Sequence, residues 1–170
     1  MASTPQINTL GALKESDYKV LPVREEIRNN LINKIKAEEE VFPGIIGFEN
    51  TVIPQLENAL LSGQDIILLG ERGQAKSRLI RGLVNLLDPH IPIVTGCEIN
   101  DNPYKPICYG CREKAVELGD DLPVDWITPS DRYSEKLATP DISIADLIGE
   151  IDPIKIAEGR YLGDELAIHF

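Results

Sequence analysis

Between Asp65 and Leu87 an apolar run, a glycine-containing turn and an amphipathic run follow one another, with a Lys-Ser pair where the turn ends. Asp65-Ile66-Ile67-Leu68-Leu69 lies between Gly63 and Gly70 and has the continuous apolar character of a strand buried on both faces of a parallel sheet. Leu79, Ile80, Leu83, Val84 and Leu87 then recur at helical spacing over 76–87 until Asp88-Pro89 stops them. The turn itself is Gly70-Glu71-Arg72-Gly73-Gln74-Ala75-Lys76-Ser77. A phosphate loop has Gly, four residues, then Gly-Lys-[Ser/Thr], set between a buried strand and a helix. This stretch departs from that pattern only at Ala75, where the second glycine would stand.

The residue types suit the chemistry. Glycines let the backbone turn and approach phosphate oxygens that a Cβ would hold off, and successive N–H groups form an anion-binding nest. Lys76 supplies a point positive charge for the β and γ phosphates, and the Ser77 hydroxyl is the Mg²⁺ contact. The Ala75 methyl is a modest steric demand provided its φ is negative. The candidate nucleotide-binding residues are therefore Gly70, Glu71, Arg72, Gly73, Gln74, Ala75, Lys76, Ser77 and Arg78, with ATP and Mg²⁺ as ligands. A strand–turn–helix with a chance Lys-Ser at the helix start is the plain structural alternative.

Elsewhere the pattern is coarser. Residues 1–22 are mixed and turn-prone, a loosely ordered lead-in ahead of a second segment, 23–170. Ile27, Leu31 and Ile35 mark one stripe of a helix over 24–40. A tight apolar loop, Phe42-Pro43-Gly44-Ile45-Ile46-Gly47, precedes a helix over 49–62 that carries Pro54 in its first turn and ends at Ser62-Gly63. Ile91-Pro92-Ile93-Val94 reads as an edge strand or a strand start. From Gly96 to Asp141 the chain is rich in Pro, Asp, Asn and Gly, with one helical stretch near 108–119. Residues 142–148 fit strand or helix, and 153–159 a short helix.

Net charge is −11, and it is uneven: residues 1–97 carry 12 acids and 10 bases, residues 98–170 carry 16 and 7. No basic nucleic-acid footprint exists. The acidic half reads as a solvated surface, or as a docking face for a basic partner or a cation. No apolar run approaches the ~20 residues of a membrane span, and no basic, then apolar leader opens the sequence, so a cytoplasmic protein is the default expectation. The three cysteines, Cys97, Cys108 and Cys111, do not make a disulfide scaffold. Three reduced thiols are the simplest reading. A zinc site would need a fourth ligand, His90 or an acid such as Glu98, and a thiol switch at a helix N-terminus is a third reading.

The stretch from Phe42 to Gly47 together with Gly70 to Ser77 resembles the AAA+ ATPases of the magnesium chelatase I-subunit and MoxR-like branch. Ala before the loop lysine is a familiar variant there. Leu137-Ala138-Thr139-Pro140-Asp141 and Leu147 to Gly159 are similar to the chelatase-type segment ahead of the Walker B strand. The resemblance, from about residue 20 onward, implies an α/β P-loop NTPase: a three-layer AAA+ core with a parallel sheet, incomplete here and preceded by an N-terminal helix. It implies that Ile45, Ile46 and Gly47 lie beside the adenine and that the complete protein forms a ring, usually a hexamer, with ATP between subunits. The output would be remodelling of a partner protein or metal insertion into a porphyrin. No apolar strand ends in acidic residues, and Asp164-Glu165 follows Leu162-Gly163 rather than a buried strand. No catalytic residue is therefore expected in this stretch of the domain, which should bind ATP without hydrolysing it. The competing reading is a non-catalytic acidic interaction module, stapled by zinc through its cysteines. A small P-loop kinase is disfavoured by the lack of an arginine-rich lid.

Overall fold

Gly63 turns into the left-handed region (φ +65) directly after the C-cap Ser62, ending a helix where the Ser-Gly pair requires it. The computed structural model that shows this describes residues 5–137, 139–145, 149–151, 153–157 and 168–169. Its helices are α1 (Leu10–Glu15), α2 (Val23–Lys36), α3 (Val52–Leu61), α4 (Lys76–Gly82), α5 (Tyr109–Leu118) and α6 (Pro129–Arg132). Strands β1 (Ile91–Val94) and β2 (Val124–Ile127) pair with each other. A further antiparallel pair, Glu150–Ile151 with Ile168–His169, and a short helix, Pro153–Ala157, come later. Two units interleave along the chain: Lys19–His90 with Thr128–Tyr133, and residues 5–18 with 91–127 and the described residues beyond 133. The stretch 23–170 thus divides between both units.

In the first unit, α2 and α3 pack around Leu31, Val41, Phe42, Ile45, Leu56, Leu60, Leu79 and Leu86. Helix α2 carries Glu25 and Glu26 in its first turn and Lys34 and Lys36 in its last, matching the helix dipole. It stops at Ala37, ahead of the acidic run Glu38-Glu39-Glu40, so Ile35 lies nearly half exposed rather than completing the expected stripe. Arg24 donates to the Gly63 carbonyl and Arg28 to that of Leu61, which satisfies acceptors at the C-terminus of α3 that have no partner within the helix. After Gly82 the α4 segment tightens into a 3₁₀ turn, Leu83–Leu86, that buries Leu86.

The expected strand at 65–69 makes no ladder. Ile66 and Leu68 pack on the core of this unit, while Ile67 and Leu69 are 83% and 89% exposed. The segment has the period-2 alternation of an extended chain with one face covered, not the two buried faces expected, because no neighbouring strand supplies the hydrogen bonds and side chains of a sheet. Among the described residues both sheets are two-stranded and antiparallel, so the parallel core expected from the resemblance is not formed by them.

In the second unit, β1 and β2 pair with Ile91 opposite Ile127 and Val94 opposite Val124. Pro92 is tolerated because a two-stranded ribbon consists of edges only. Helix α1, capped by the Thr9 hydroxyl, sends Leu10 and Leu13 into a core shared with Val94, Leu122 and Val124. The lead-in expected to be loose thus contributes a fully buried leucine. Trp126 donates its indole N–H to the Ile7 carbonyl at 2.7 Å and meets Tyr18 edge-on, ring centroids 5.7 Å apart. Among the described residues no helix is long and apolar enough to cross a membrane.

Candidate functional site

The candidate loop, Gly70 to Ser77, lies wholly in the first unit. Gly70 (φ +153) and Gly73 (φ +86) adopt backbone that side chains rarely tolerate, and a Cβ on Gly70 would collide with the Gln74 side chain. Lys76 opens α4 and folds back over the loop: its Nζ donates to the Gly70 carbonyl at 2.9 Å and to the Glu71 carbonyl at 2.6 Å. These bonds hold the ammonium against two carbonyls of the loop itself. An open concavity of about 520 Å³ is lined by Arg72, Gly73, Gln74, Ala75, Lys76, Ser77, Arg78 and Arg81. Four cationic side chains and a hydroxyl thus converge in a chain of net charge −11. Arg81, one helical turn beyond Ser77, was not singled out by the sequence pattern, although its spacing on the helix could have marked it.

Ala75 corrects one expectation. Its φ is +52, in the left-handed region, not negative. A glycine would sit there without strain, whereas an L-residue with a Cβ is held there at a cost of about 1–2 kcal/mol.

The apolar loop before α3 is divided by its burial. Phe42 and Ile45 are core residues, with Phe42 against Gly82 of α4 and the Arg78 guanidinium against Gly44. Ile46 is 84% exposed. The Gly47 N–H donates to both carboxylate oxygens of Glu49 at 2.9 Å, and backbone hydrogen bonds hold that carboxyl below its usual range. Ile45 and Ile46 therefore point to different environments, core and solvent. Asp164 and Glu165, set aside in the sequence, lie outside the described residues, as do Ala138, Leu147, Ile148 and Glu158.

A second cluster lies in the other unit. The ligand atoms of Cys97, Asp101, Cys108 and Cys111 are all within 4.8 Å of one another. Cys97 follows the turn after β1, and Asp101 is tied back to β1 by the Val94 N–H donating to its carbonyl. Cys108 is the N-cap of α5, its Sγ accepting the Cys111 N–H at 3.3 Å. The fourth group is Asp101, not His90 or Glu98. Burial pushes the Cys108 and Cys111 thiols up, so the lowering expected of a helix N-terminus is outweighed.

Over 76 residues the chain is 38% identical to a magnesium-chelatase subunit ChlI homolog of Methanocaldococcus jannaschii, a match spanning 43% of this chain and 20% of the relative. Over 116 residues it is 36% identical to the chloroplastic magnesium-chelatase subunit ChlI-2 of Arabidopsis thaliana, spanning 62% and 27%. The ChlI-1 subunit of the same plant is 33% identical over 95 residues, spanning 52% and 22%. The chain is similar to magnesium-chelatase I subunits. It spans between a fifth and about a quarter of the length of these relatives. No protein-family model matches the chain, and no solved structure matches it.

Proposed function

We propose that Gly70 to Arg78 bind the phosphates of ATP, with Ser77 as the Mg²⁺ contact, in a AAA+ ATPase of the magnesium-chelatase and MoxR-like kind. The observation that carries this reading is the Lys76 ammonium seated on the Gly70 and Glu71 carbonyls, in a residue that lines one concavity with Ser77 and three arginines. The residues present fit the group: the loop is curved by two glycines, its charge is positive, and a hydroxyl stands beside the lysine. Ser77 would hold Mg²⁺, which when bound would supply positive charge against the phosphates. Gly70 and Gly73 keep the backbone open to them, and Arg72, Arg78 and Arg81 add positive potential at the rim. Ile45, Ile46 and Gly47 form the adenine side of the site in this reading, with Ile46 available to the base and Ile45 anchoring the loop.

In the complete protein, the function we infer is ATP hydrolysis within a ring of subunits, coupled to remodelling of a partner or to metal insertion. The described residues supply phosphate binding to that cycle, and no hydrolytic role is assigned to any of them. The similarity to chelatase subunits favours this over an acidic interaction module that uses the loop only as a turn.

Binding of a fluorescent ATP analogue with Mg²⁺, measured for the wild type and for Lys76→Ala, tests the reading. The variant is expected to keep its circular dichroism spectrum and lose at least tenfold in affinity. Equal affinity in the two proteins would overturn the assignment.

A further inference from the structure

We propose that Cys97, Asp101, Cys108 and Cys111 bind a single zinc ion, which staples the loop between β1 and α5. This site lies in a different unit from the phosphate loop and is independent of the ATP reading.

The donor spacing suits one tetrahedral ion. With Zn–S bonds of about 2.3 Å, two sulfurs on a tetrahedral zinc stand about 3.8 Å apart. Cys97 Sγ and Cys108 Sγ are 3.9 Å apart, and all four ligand atoms fall within 4.8 Å. That spacing encloses one ion, whereas the ligands of an iron–sulfur cluster stand on separate irons. Three soft sulfurs and one carboxylate oxygen suit zinc and do not suit Mg²⁺ or Ca²⁺.

The surroundings are built to hold the donors. Cys108, Cys111 and Asp101 are between 2% and 5% exposed. Asp101 is oriented by three backbone N–H groups: Asn102 donates to Oδ1, and Ile107 and Cys108 donate to Oδ2, at 2.8–3.0 Å. A carboxylate has about four lone-pair sites, so a site remains on Oδ1. Those N–H bonds are the outer contacts that commonly fix a ligating carboxylate. Among the described residues no cationic side chain pairs with Asp101, so beside its three N–H donors there is room for a partner charge. A zinc ion is that charge, and on binding the three thiols release their protons to water.

The test begins with the chain expressed in zinc-containing medium and purified without chelator. Elemental analysis is expected to find about one zinc per chain, and refolding with Co²⁺ is expected to give the sulfur-to-cobalt absorption and visible bands of a tetrahedral thiolate site. Asp101→Asn preserves side-chain volume and is expected to weaken zinc retention against a chromophoric chelator roughly tenfold or more. Its cobalt bands should shift. Zinc-free protein that also takes up no Co²⁺, or a disulfide between two of the three cysteines in freshly purified protein, overturns the site. Unchanged zinc retention and cobalt bands in a folded Asp101→Asn variant overturn the assignment of the fourth ligand. Should that variant fail to fold, cobalt bands of a three-sulfur, one-oxygen site in the wild type support the assignment, and bands of a site with a nitrogen ligand overturn it.

Discussion

Arg132 forks onto Glu26, with Nη1 and Nη2 each 2.6 Å from a different carboxylate oxygen. Glu26 is 2% exposed, and its Oε1 also accepts the Asp88 N–H. The pair joins the first turn of α2 to the end of α6. Removing one partner leaves the other charge buried and uncompensated, which typically costs about 3–5 kcal/mol. Arg132→Ala is expected to lower the unfolding free energy obtained from urea melts by an amount in that range. Glu26→Gln with Arg132→Met should recover much of the loss. A single variant within about 1 kcal/mol of wild type would show that the pair is not buried in solution.

Ala75 is held left-handed immediately before the loop lysine. Ala75→Gly relieves about 1–2 kcal/mol of strain and gives back about 0.5–1 kcal/mol in unfolded-chain entropy. The expected net gain is about 0–1.5 kcal/mol in a denaturant melt, with nucleotide affinity maintained or improved. Ala75→Val puts a β-branched side chain at φ +52, a backbone outlier for that class, and should lower both stability and affinity. If the glycine variant melts at a lower denaturant concentration, the local backbone is not left-handed in solution.

Much of this region is legible in the residues. Gly63, the Lys76-Ser77 pair and the Leu56 and Leu60 face were read from local chemistry, because caps, turns and helical stripes depend on near neighbours. The run at 66–69 was misread for a physical reason: its composition records that it is apolar, while the covering of Ile67 and Leu69 depends on chain elsewhere. Strand β2 was missed because Val-Asp-Trp-Ile is too short for alternation to stand out among prolines and aspartates. Asp101 was missed because a lone aspartate in an Asp-Asn-Pro turn has no ligand spacing, and only folding brings it to the three sulfurs.

The exposed pair Ile67 and Leu69 has an expected cost. A single extended segment with apolar side chains on its open face is a site for unwanted strand pairing. The chain is expected to self-associate with increasing concentration in sedimentation velocity, and Ile67→Thr with Leu69→Thr should shift it toward monomer. A wild-type chain that stays monomeric at high concentration would count against this.

The short helix α6 carries a pH dependence. The Thr128 hydroxyl and backbone N–H bond Asp131, which lowers its carboxyl from the usual 3.8. A depressed folded-state value means that the contribution is present above about pH 4 and is lost as pH falls through the lower folded value. Thermal melts at pH 6 and at pH 3 should therefore differ more for the wild type than for Asp131→Asn. Identical pH slopes in the two proteins would remove Asp131 from the acid response.

Because Arg132 follows Glu26 by 106 residues, ribosomal synthesis separates the two halves of that ion pair by roughly 5–20 s at typical elongation rates. The unit that holds Glu26 therefore emerges with its buried carboxylate still unmatched, and waits for a segment made after the whole of the cysteine cluster. The loop-bearing unit is completed only at Tyr133, after all three cysteines have been made, and a nascent chain halted at residue 127 would carry residues 70–77 in a scaffold not yet locked.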